Sequence, residues 1–221
     1  MEIKRNMQEL EVINKYLGGH NSTIKGVKIL LGLNEKKVSW TDSLNICEIG
    51  CGGGDNLKAI ENWCASKSFP VKFTGIDINA ECIAYAKENC KSINVEWITS
   101  DYRLVKLTQK PDIIFSSLFC HHFTEKELVE QFAWMKNNSQ LGFFINDLHR
   151  HPLAYYSISI LTKIFSKSRL VKNDAPLSVL RGFKKKELGS INMQDSLAHS
   201  RLYWHWAFRW LMVVKNESPG D

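Results

Sequence analysis

No stretch of this 221-residue chain approaches the roughly 18 consecutive apolar residues that mark a membrane span. The longest apolar-biased run, 153–165, is interrupted by Ser157, Ser159, Thr162 and Lys163, so no stable membrane insertion is expected. The opening residues MEIKRNMQELEVINKYL contain neither an apolar run nor a small-residue cleavage site, and a cytoplasmic location is the resulting expectation. No two of the six cysteines (Cys47, Cys51, Cys64, Cys82, Cys90 and Cys120) form a C-x-x-C pair. That argues against zinc and for reduced thiols serving as small buried hydrophobes. Repeats, linkers and low-complexity tracts are missing too. The formal net charge of +6 is modest, and its densest run is only Lys184-Lys185-Lys186, so nucleic acid is not indicated as a partner. What is present, 44% hydrophobic and 24% charged residues, is the composition of one globular domain with a substantial core.

The apolar pattern divides this domain into four parts. Residues 1–40 read as a helical cap, with one amphipathic helix over 5–17 (Leu10, Ile13 and Leu17 near one face), a Gly18-Gly19 stop, and a second helix over 22–31. From Leu44 to about residue 147, short apolar runs at 44–49, 71–76, 95–99, 112–116 and 142–146 alternate with helical segments at 55–66, 79–91, 103–107 and 124–138. Strand–helix alternation of this kind implies right-handed crossovers and an α/β fold with a parallel sheet. Residues 148–183 read as a lid insertion with one helix over 153–165 and a turn-rich piece at Asn173-Asp174-Ala175-Pro176. A helix near 184–190 and two strands turning near Ala207 complete the last part, 184–221.

The densest motif is Glu48-Ile49-Gly50-Cys51-Gly52-Gly53-Gly54-Asp55. A buried strand runs into glycines that permit positive φ and close approach of a ligand, at the strand end where open α/β sheets bind. The loop lacks the Gly-Lys-Ser/Thr ending of a phosphate loop, and its G-x-G-G-G spacing differs from that of dinucleotide folds. Its companions narrow the reading. Asp77 ends the second strand, where a carboxylate can accept from both ribose hydroxyls. Asp101 ends the third, placed to accept from an adenine amino group. Three such features at three consecutive strand ends point to an adenosine site.

In these residues the chain resembles the class I S-adenosylmethionine-dependent methyltransferases, over roughly 44–147. Glu48, Gly50, Gly52 and Gly54 match the E-x-G-x-G-x-G loop, and Asp77 and Asp101 match the two acids. The resemblance implies a Rossmann-like, seven-stranded, mostly parallel sheet with an antiparallel last strand, and S-adenosylmethionine as cofactor. It further implies that Asp77 holds the ribose, that Asp101 and Tyr102 hold the adenine, and that Ile78 packs on it. The glycine loop, with Cys51, and Ser117 would flank the methionine part.

Histidines cluster at the next strand ends: His121 and His122 after the fourth, His149 and His151 after the fifth, with His20 beyond the first helix. Methyl transfer mainly requires alignment of the reacting atoms, and a phenol also needs its proton removed, for which histidine is a suitable base. The segment Phe119-Cys120-His121-His122 is similar to the C-H-D-W segment of plant-type small-molecule O-methyltransferases, which aligns their catalytic histidine with His121 and replaces the acid by His122. Base catalysis by His121, a structural role for it, and base catalysis by His149 all remain open. His20, His122, Arg150 and Tyr156 are the candidate acceptor contacts. No carboxylate follows the fourth strand in Ser116-Ser117-Leu118, so no metal is expected.

Outside the sheet, Leu17-Gly18-Gly19-His20, Asn146-Asp147-Leu148-His149-Arg150, Asp174-Ala175-Pro176-Leu177 and Trp206-Ala207-Phe208-Arg209 are together similar to methyltransferases encoded beside bacterial type III polyketide synthases. That resemblance implies O-methylation of a phenolic, hydrophobic small molecule in secondary metabolism. A helical lid with Leu153, Tyr156, Ile160 and Ile164 on one face is expected to turn that face toward the acceptor. The alternatives are a quinone precursor, a small amine or acid as acceptor, a nicotinamide-dependent dehydrogenase, or a non-catalytic cofactor-binding module.

Overall fold

The computed structural model describes residues 2–33, 43–193 and 200–217. The parts of the expected cap and C-terminal segment at 34–40, 194–199 and 218–221 lie outside the described residues. In chain order the elements are α1 (Glu2–Tyr16), α2 (Gly19–Leu30), β1 (Leu44–Ile49), α3 (Asp55–Ala65), β2 (Val71–Asp77), α4 (Ala80–Asn89), β3 (Val95–Thr99), β4 (Ile113–Ser117), α5 (Glu125–Asn138), β5 (Gly142–Leu148), α6 (Pro152–Phe165), α7 (Arg169–Arg181), α8 (Lys185–Met193), β6 (Ser200–His205) and β7 (Arg209–Lys215). Single 3₁₀ turns at Tyr102–Leu104 and Cys120–His122 follow β3 and β4.

The seven strands form one sheet in the order β3-β2-β1-β4-β5-β7-β6. Strands β1 to β5 run parallel, while β7 is antiparallel to both β5 and β6. The strand order reverses between β1 and β4, and at such a switch point the carboxyl ends of the strands leave a crevice. Both faces of the central strands are covered, which is why they read as continuous apolar runs. On one face Ile46, Ile113, Phe115, Phe144 and Leu211 pack against Val27 and Leu30 of α2 and Leu57 and Ile60 of α3. On the other, Cys47, Ile114, Phe143, Ile145 and Met212 meet Phe132 and Met135 of α5 and Leu188 of α8. All six cysteines are free and buried.

The lid differs from the sequence expectation in two ways. The piece Asn173-Asp174-Ala175-Pro176 is not a turn but the middle of α7, with Pro176 inside the helix. Ser168 caps this helix by accepting from the Val171 N–H, and Val171 and Val179 are buried. Packing of that stripe outweighs the backbone hydrogen bond that proline removes. The second difference is the facing of α6. Ala154, Ile158 and Thr162 form its buried side, whereas Leu153 (61% exposed), Tyr156, Ile160 and Ile164 (66%) turn outward. The helix is apolar on both sides, so periodicity alone did not reveal which side faces in.

Helix α2 sits so close to the sheet that a Cβ on Gly26 would stand 2.6 Å from the Phe144 ring. Gly26→Ala gains about 1 kcal/mol of helix propensity but incurs about 1–3 kcal/mol of overpacking. A net loss of stability in urea unfolding is expected; a stabilised variant would show that α2 is not held against Phe144.

Candidate active site

Strand β1 ends in a corner that only glycine fits. Gly50, Gly52 and Gly54 have φ of 67°, 50° and 74°. A Cβ at Gly50 would lie 2.3 Å from the Phe119 ring, and one at Gly54 would lie 2.7 Å from Trp97 and 2.8 Å from Cys90 Sγ. Asp77, at the end of β2, pins this corner. One of its carboxylate oxygens accepts from the Gly52 N–H at 2.9 Å, the other from the Asn79 N–H at 2.8 Å.

Gly50, Asp77, Ile78, Asp101, Tyr102 and Phe119 line a pocket of ≈160 Å³. The four residues expected to hold adenosine, Asp77, Ile78, Asp101 and Tyr102, therefore meet in one place, with Gly50 of the glycine loop beside them. Ile78 stands 73% exposed at its edge, an apolar platform without a protein partner above it. Tyr102 is buried edge-on against Trp134 and Phe119. Asp101 is already engaged: the Arg103 Nε and guanidinium donate to its two oxygens, and the Arg103 N–H donates at 3.0 Å. Those hydrogen bonds hold its carboxyl below the usual carboxylate range. Any adenine amino group there shares the carboxylate with Arg103.

Glu48, Cys51, Gly52, Gly54 and Ser117 lie outside the wall of that pocket. Glu48 is 1% exposed and accepts from Asn56 Nδ2 at 3.0 Å, leaving its second oxygen without a partner. Burial, then the charge of Asp55, pushes its carboxyl well above the ordinary range. Cys51 is buried, and its N–H donates to the Ile76 carbonyl at 3.1 Å. Ser117, buried at the end of β4, lies 3.4 Å from Asn146 Nδ2.

Beside this pocket lies a larger cavity of ≈640 Å³. Leu10, Ile13 and Leu17 of α1 form one wall, Ala154, Ile158 and Leu161 of α6 another, and Ala175 and Val179 of α7 a third. His121 and His122 contribute from the turn after β4, and Arg209 from the start of β7. His121 is bound to Asp147 at the end of β5: Nδ1 lies 2.8 Å from Oδ1, and the His121 N–H donates to Oδ2 at 3.2 Å. The carboxylate calls for the proton on Nδ1, which leaves Nε2 as an acceptor, and Nε2 has no protein partner. Burial raises the Asp147 carboxyl, but the charge and hydrogen bonds of His121 and the N–H of Leu148 together hold it below its ordinary value. The His122 ring lies 4.2 Å from that of His121, tilted by 39°, and desolvation and that neighbour hold its imidazole below the usual range.

The other expected contacts lie elsewhere. His20 pairs with Asp55 at the start of α3, Nε2 to Oδ2 at 2.8 Å, and lines neither pocket. Arg150 donates to the Gly182 carbonyl and pairs with Glu187 at 2.6 Å, tying the lid to α8. Tyr156 is 63% exposed on the outer side of α6. His149 accepts from Trp204 Nε1 at 3.2 Å and packs 5.0 Å from Trp210, also outside both pockets. Of these four, His149 and Arg150 are expected from their position after β5, His20 from the end of the first helix and Tyr156 from the lid helix; none of them lines either pocket.

Three residues that line or support the cavity, Asp147, Asn14 and Arg209, were not among the candidate site residues. Asp147 follows the same strand-end logic as Asp77 and was legible by it. Asn14 and Arg209 were not, because their partners are distant in the chain. Asn14 donates to Asp55 at 3.0 Å and accepts from Arg209 Nη2 at 2.9 Å. Arg209, 2% exposed, also donates to the Leu17 carbonyl, and burial pushes its guanidinium down to about 10.

Residues 46–140 match the family model described as a methyltransferase domain. The chain carries a methyltransferase domain. None of the curated proteins matches it in sequence. Among solved structures it is similar to the plantazolicin methyltransferase BpumL in complex with a triazolic desmethylPZN analog and SAH: TM-score 0.71 at 15% identity, covering 96% of this chain and 91% of that one. A SAM dependent methyltransferase from Aquifex aeolicus superposes with TM-score 0.63 at 16% identity, over 96% and 97% of the two chains. Magnesium protoporphyrin IX methyltransferase (ChlM) from Synechocystis PCC 6803 with bound SAH gives 0.58 at 13% identity, over 93% and 87%. At these identities the likeness shows that the methyltransferase domain and its flanking helices share one fold with those proteins.

Asn14→Ala removes both partners' bonds and leaves the Arg209 guanidinium under-paired in the interior, a loss of about 3 kcal/mol. Urea unfolding measures it, and a change below half that value would show that the Asn14 bridge is dispensable.

Proposed function

We propose that this protein transfers a methyl group from S-adenosylmethionine to the hydroxyl of an apolar, phenol-type small molecule. The observation that carries the reading is the His121–Asp147 pair on the wall of a largely apolar cavity next to the adenosine pocket.

The methyl donor is S-adenosylmethionine, and the residues present suit it. Asp77 keeps lone pairs for ribose hydroxyls after accepting its two backbone N–H bonds. Ile78 offers an apolar face for the adenine, with Asp101 and Tyr102 at its edge. The glycine corner and Ser117 lie toward the methionine part. Bound there, S-adenosylmethionine supplies an electrophilic methyl group on a positively charged sulfur.

The chain's own residues then orient and deprotonate the acceptor. Asp147 fixes the His121 tautomer and stabilises the imidazolium that forms. The Nε2 atom would take the hydroxyl proton, leaving the acceptor oxygen free to receive the methyl group that S-adenosylmethionine would supply. The walls from α1, α6 and α7 exclude water and hold an aromatic ring or alkyl chain, at roughly 0.8 kcal/mol per buried CH₂. The named acceptors of the similar structures, plantazolicin and magnesium protoporphyrin IX, differ from each other, so the shared fold accommodates more than one acceptor chemistry.

Three measurements test this reading. Asp77→Ala is expected to weaken adenosylhomocysteine binding about ten- to a hundredfold in calorimetry, from loss of charge-assisted bonds of about 1.5–3 kcal/mol. His121→Ala should cut turnover on a phenolic acceptor by about 10²–10⁴-fold while leaving adenosylhomocysteine affinity near wild type. Equal losses in turnover and affinity would instead assign His121 a structural role. Across a series from resorcinol to long-chain alkylresorcinols, KM should fall with chain length; methylation only of polar amines or acids overturns the phenol assignment.

A further inference from the structure

Helix α6 buries Ala154, Ile158 and Thr162, yet its opposite side is also apolar: Leu153 is 61% exposed, Tyr156 63%, Ile160 57% and Ile164 66%, with Phe165 at 74% at the end. An apolar stripe of this size on a helix is ordinarily covered by protein or by lipid. This helix has no protein over its outer side among the described residues. At 14 residues it is about 21 Å long, short of the roughly 30 Å a membrane span needs.

The charge around that stripe selects the occupant. Between 152 and 181 stand Lys163, Lys167, Arg169, Lys172 and Arg181 against a single acid, Asp174. All five cations are exposed. The nearby Glu9 is already taken up by Ser166 and by the N–H groups of Lys167 and Ser168. Apolar side chains with lysines and arginines beside them match an anionic bilayer surface: the stripe enters the acyl boundary and the cations meet the headgroups. The same two helices border the larger cavity, since Leu161 of α6 and Leu177 of α7 belong with Trp206 to its wall and are 38%, 48% and 64% exposed.

We propose that the outer face of α6, with the cations of α6 and α7, docks the protein peripherally on an anionic lipid surface, with the mouth of the cavity toward the membrane. Docking does not depend on the identity of the acceptor, so it can fail while the methyltransferase reading stands, and the reverse. The full-length protein is sedimented with vesicles of phosphatidylcholine alone and of equal parts phosphatidylcholine and phosphatidylglycerol. It should pellet with the second and not the first, and less so as salt is raised. Ile160→Asp combined with Ile164→Asp should reduce the pelleted fraction by at least about tenfold, with circular dichroism and adenosylhomocysteine affinity unchanged. Lys163→Ala combined with Lys167→Ala should weaken it in the same direction. Absence of binding to the anionic vesicles, or equal pelleting of wild type and the isoleucine variant, overturns the proposal. So does a lipid-free dimer in light scattering that Ile160→Asp with Ile164→Asp dissociates, because the stripe would then be covered by a second copy of the chain.

Discussion

The cavity depends on a buried guanidinium that takes its hydrogen-bond partners from the C-terminal end of α1 and the residue after it. Removing a charge from water costs many kcal/mol unless hydrogen bonds replace the lost solvent. Arg209 meets that requirement through Nε and Nη2, which donate to the Leu17 carbonyl and Asn14, while Nη1 has no protein partner among the described residues, and Asn14 passes the connection to Asp55 and His20. A second chain of contacts runs in parallel: Asn146 donates to Thr23 and to the Gly19 carbonyl, Thr23 donates to Asn56, and Asn56 donates to Glu48. Together they lock α1 and α2 over the carboxyl ends of β1, β4 and β5 and the amino end of β7. Without that lock the strand ends would face open solvent rather than an enclosed space.

Electrostatics across this region is arranged by proximity rather than by exposure. Asp147 and Glu48 are equally buried, yet their carboxyls move in opposite directions. Asp147 faces an imidazole and two backbone N–H groups; Glu48 faces another acid and has one amide to bind. The first is thereby kept as an anion that can orient a base, and the second is pushed toward the neutral form beneath the glycine corner. Two carboxylates a few residues from equivalent strand ends come to have different chemistry.

The lid illustrates how packing overrides local preference. Pro176 and the polar residues before it favour a turn, but Val171 and Val179 on α7 have an apolar surface to bury and keep the helix continuous. On α6 two apolar stripes compete for that same surface. The smaller side chains, Ala154, Ile158 and Thr162, win because the helix can then approach its neighbours closely, leaving Tyr156 and the larger residues outside.

Strand–helix alternation from Leu44, the glycines after β1 and the acids at 77 and 101 were enough to foresee the sheet and the meeting of Asp77, Ile78, Asp101 and Tyr102 in one pocket, since each signal sits within a few residues of the element it serves. Glycine at a positive φ and a carboxylate at a strand end are local requirements, so the sequence determines them directly. The acceptor side was decided by tertiary structure. His121 is fixed by Asp147, 26 positions away, and Arg209 by Asn14, 195 positions away. His20 and Arg150 were candidate acceptor contacts in the chain but are bound to Asp55 and Glu187 in the fold. A buried polar side chain goes where its hydrogen-bond partners are, and for these residues only the folded arrangement of helices over the sheet brings the partners within reach.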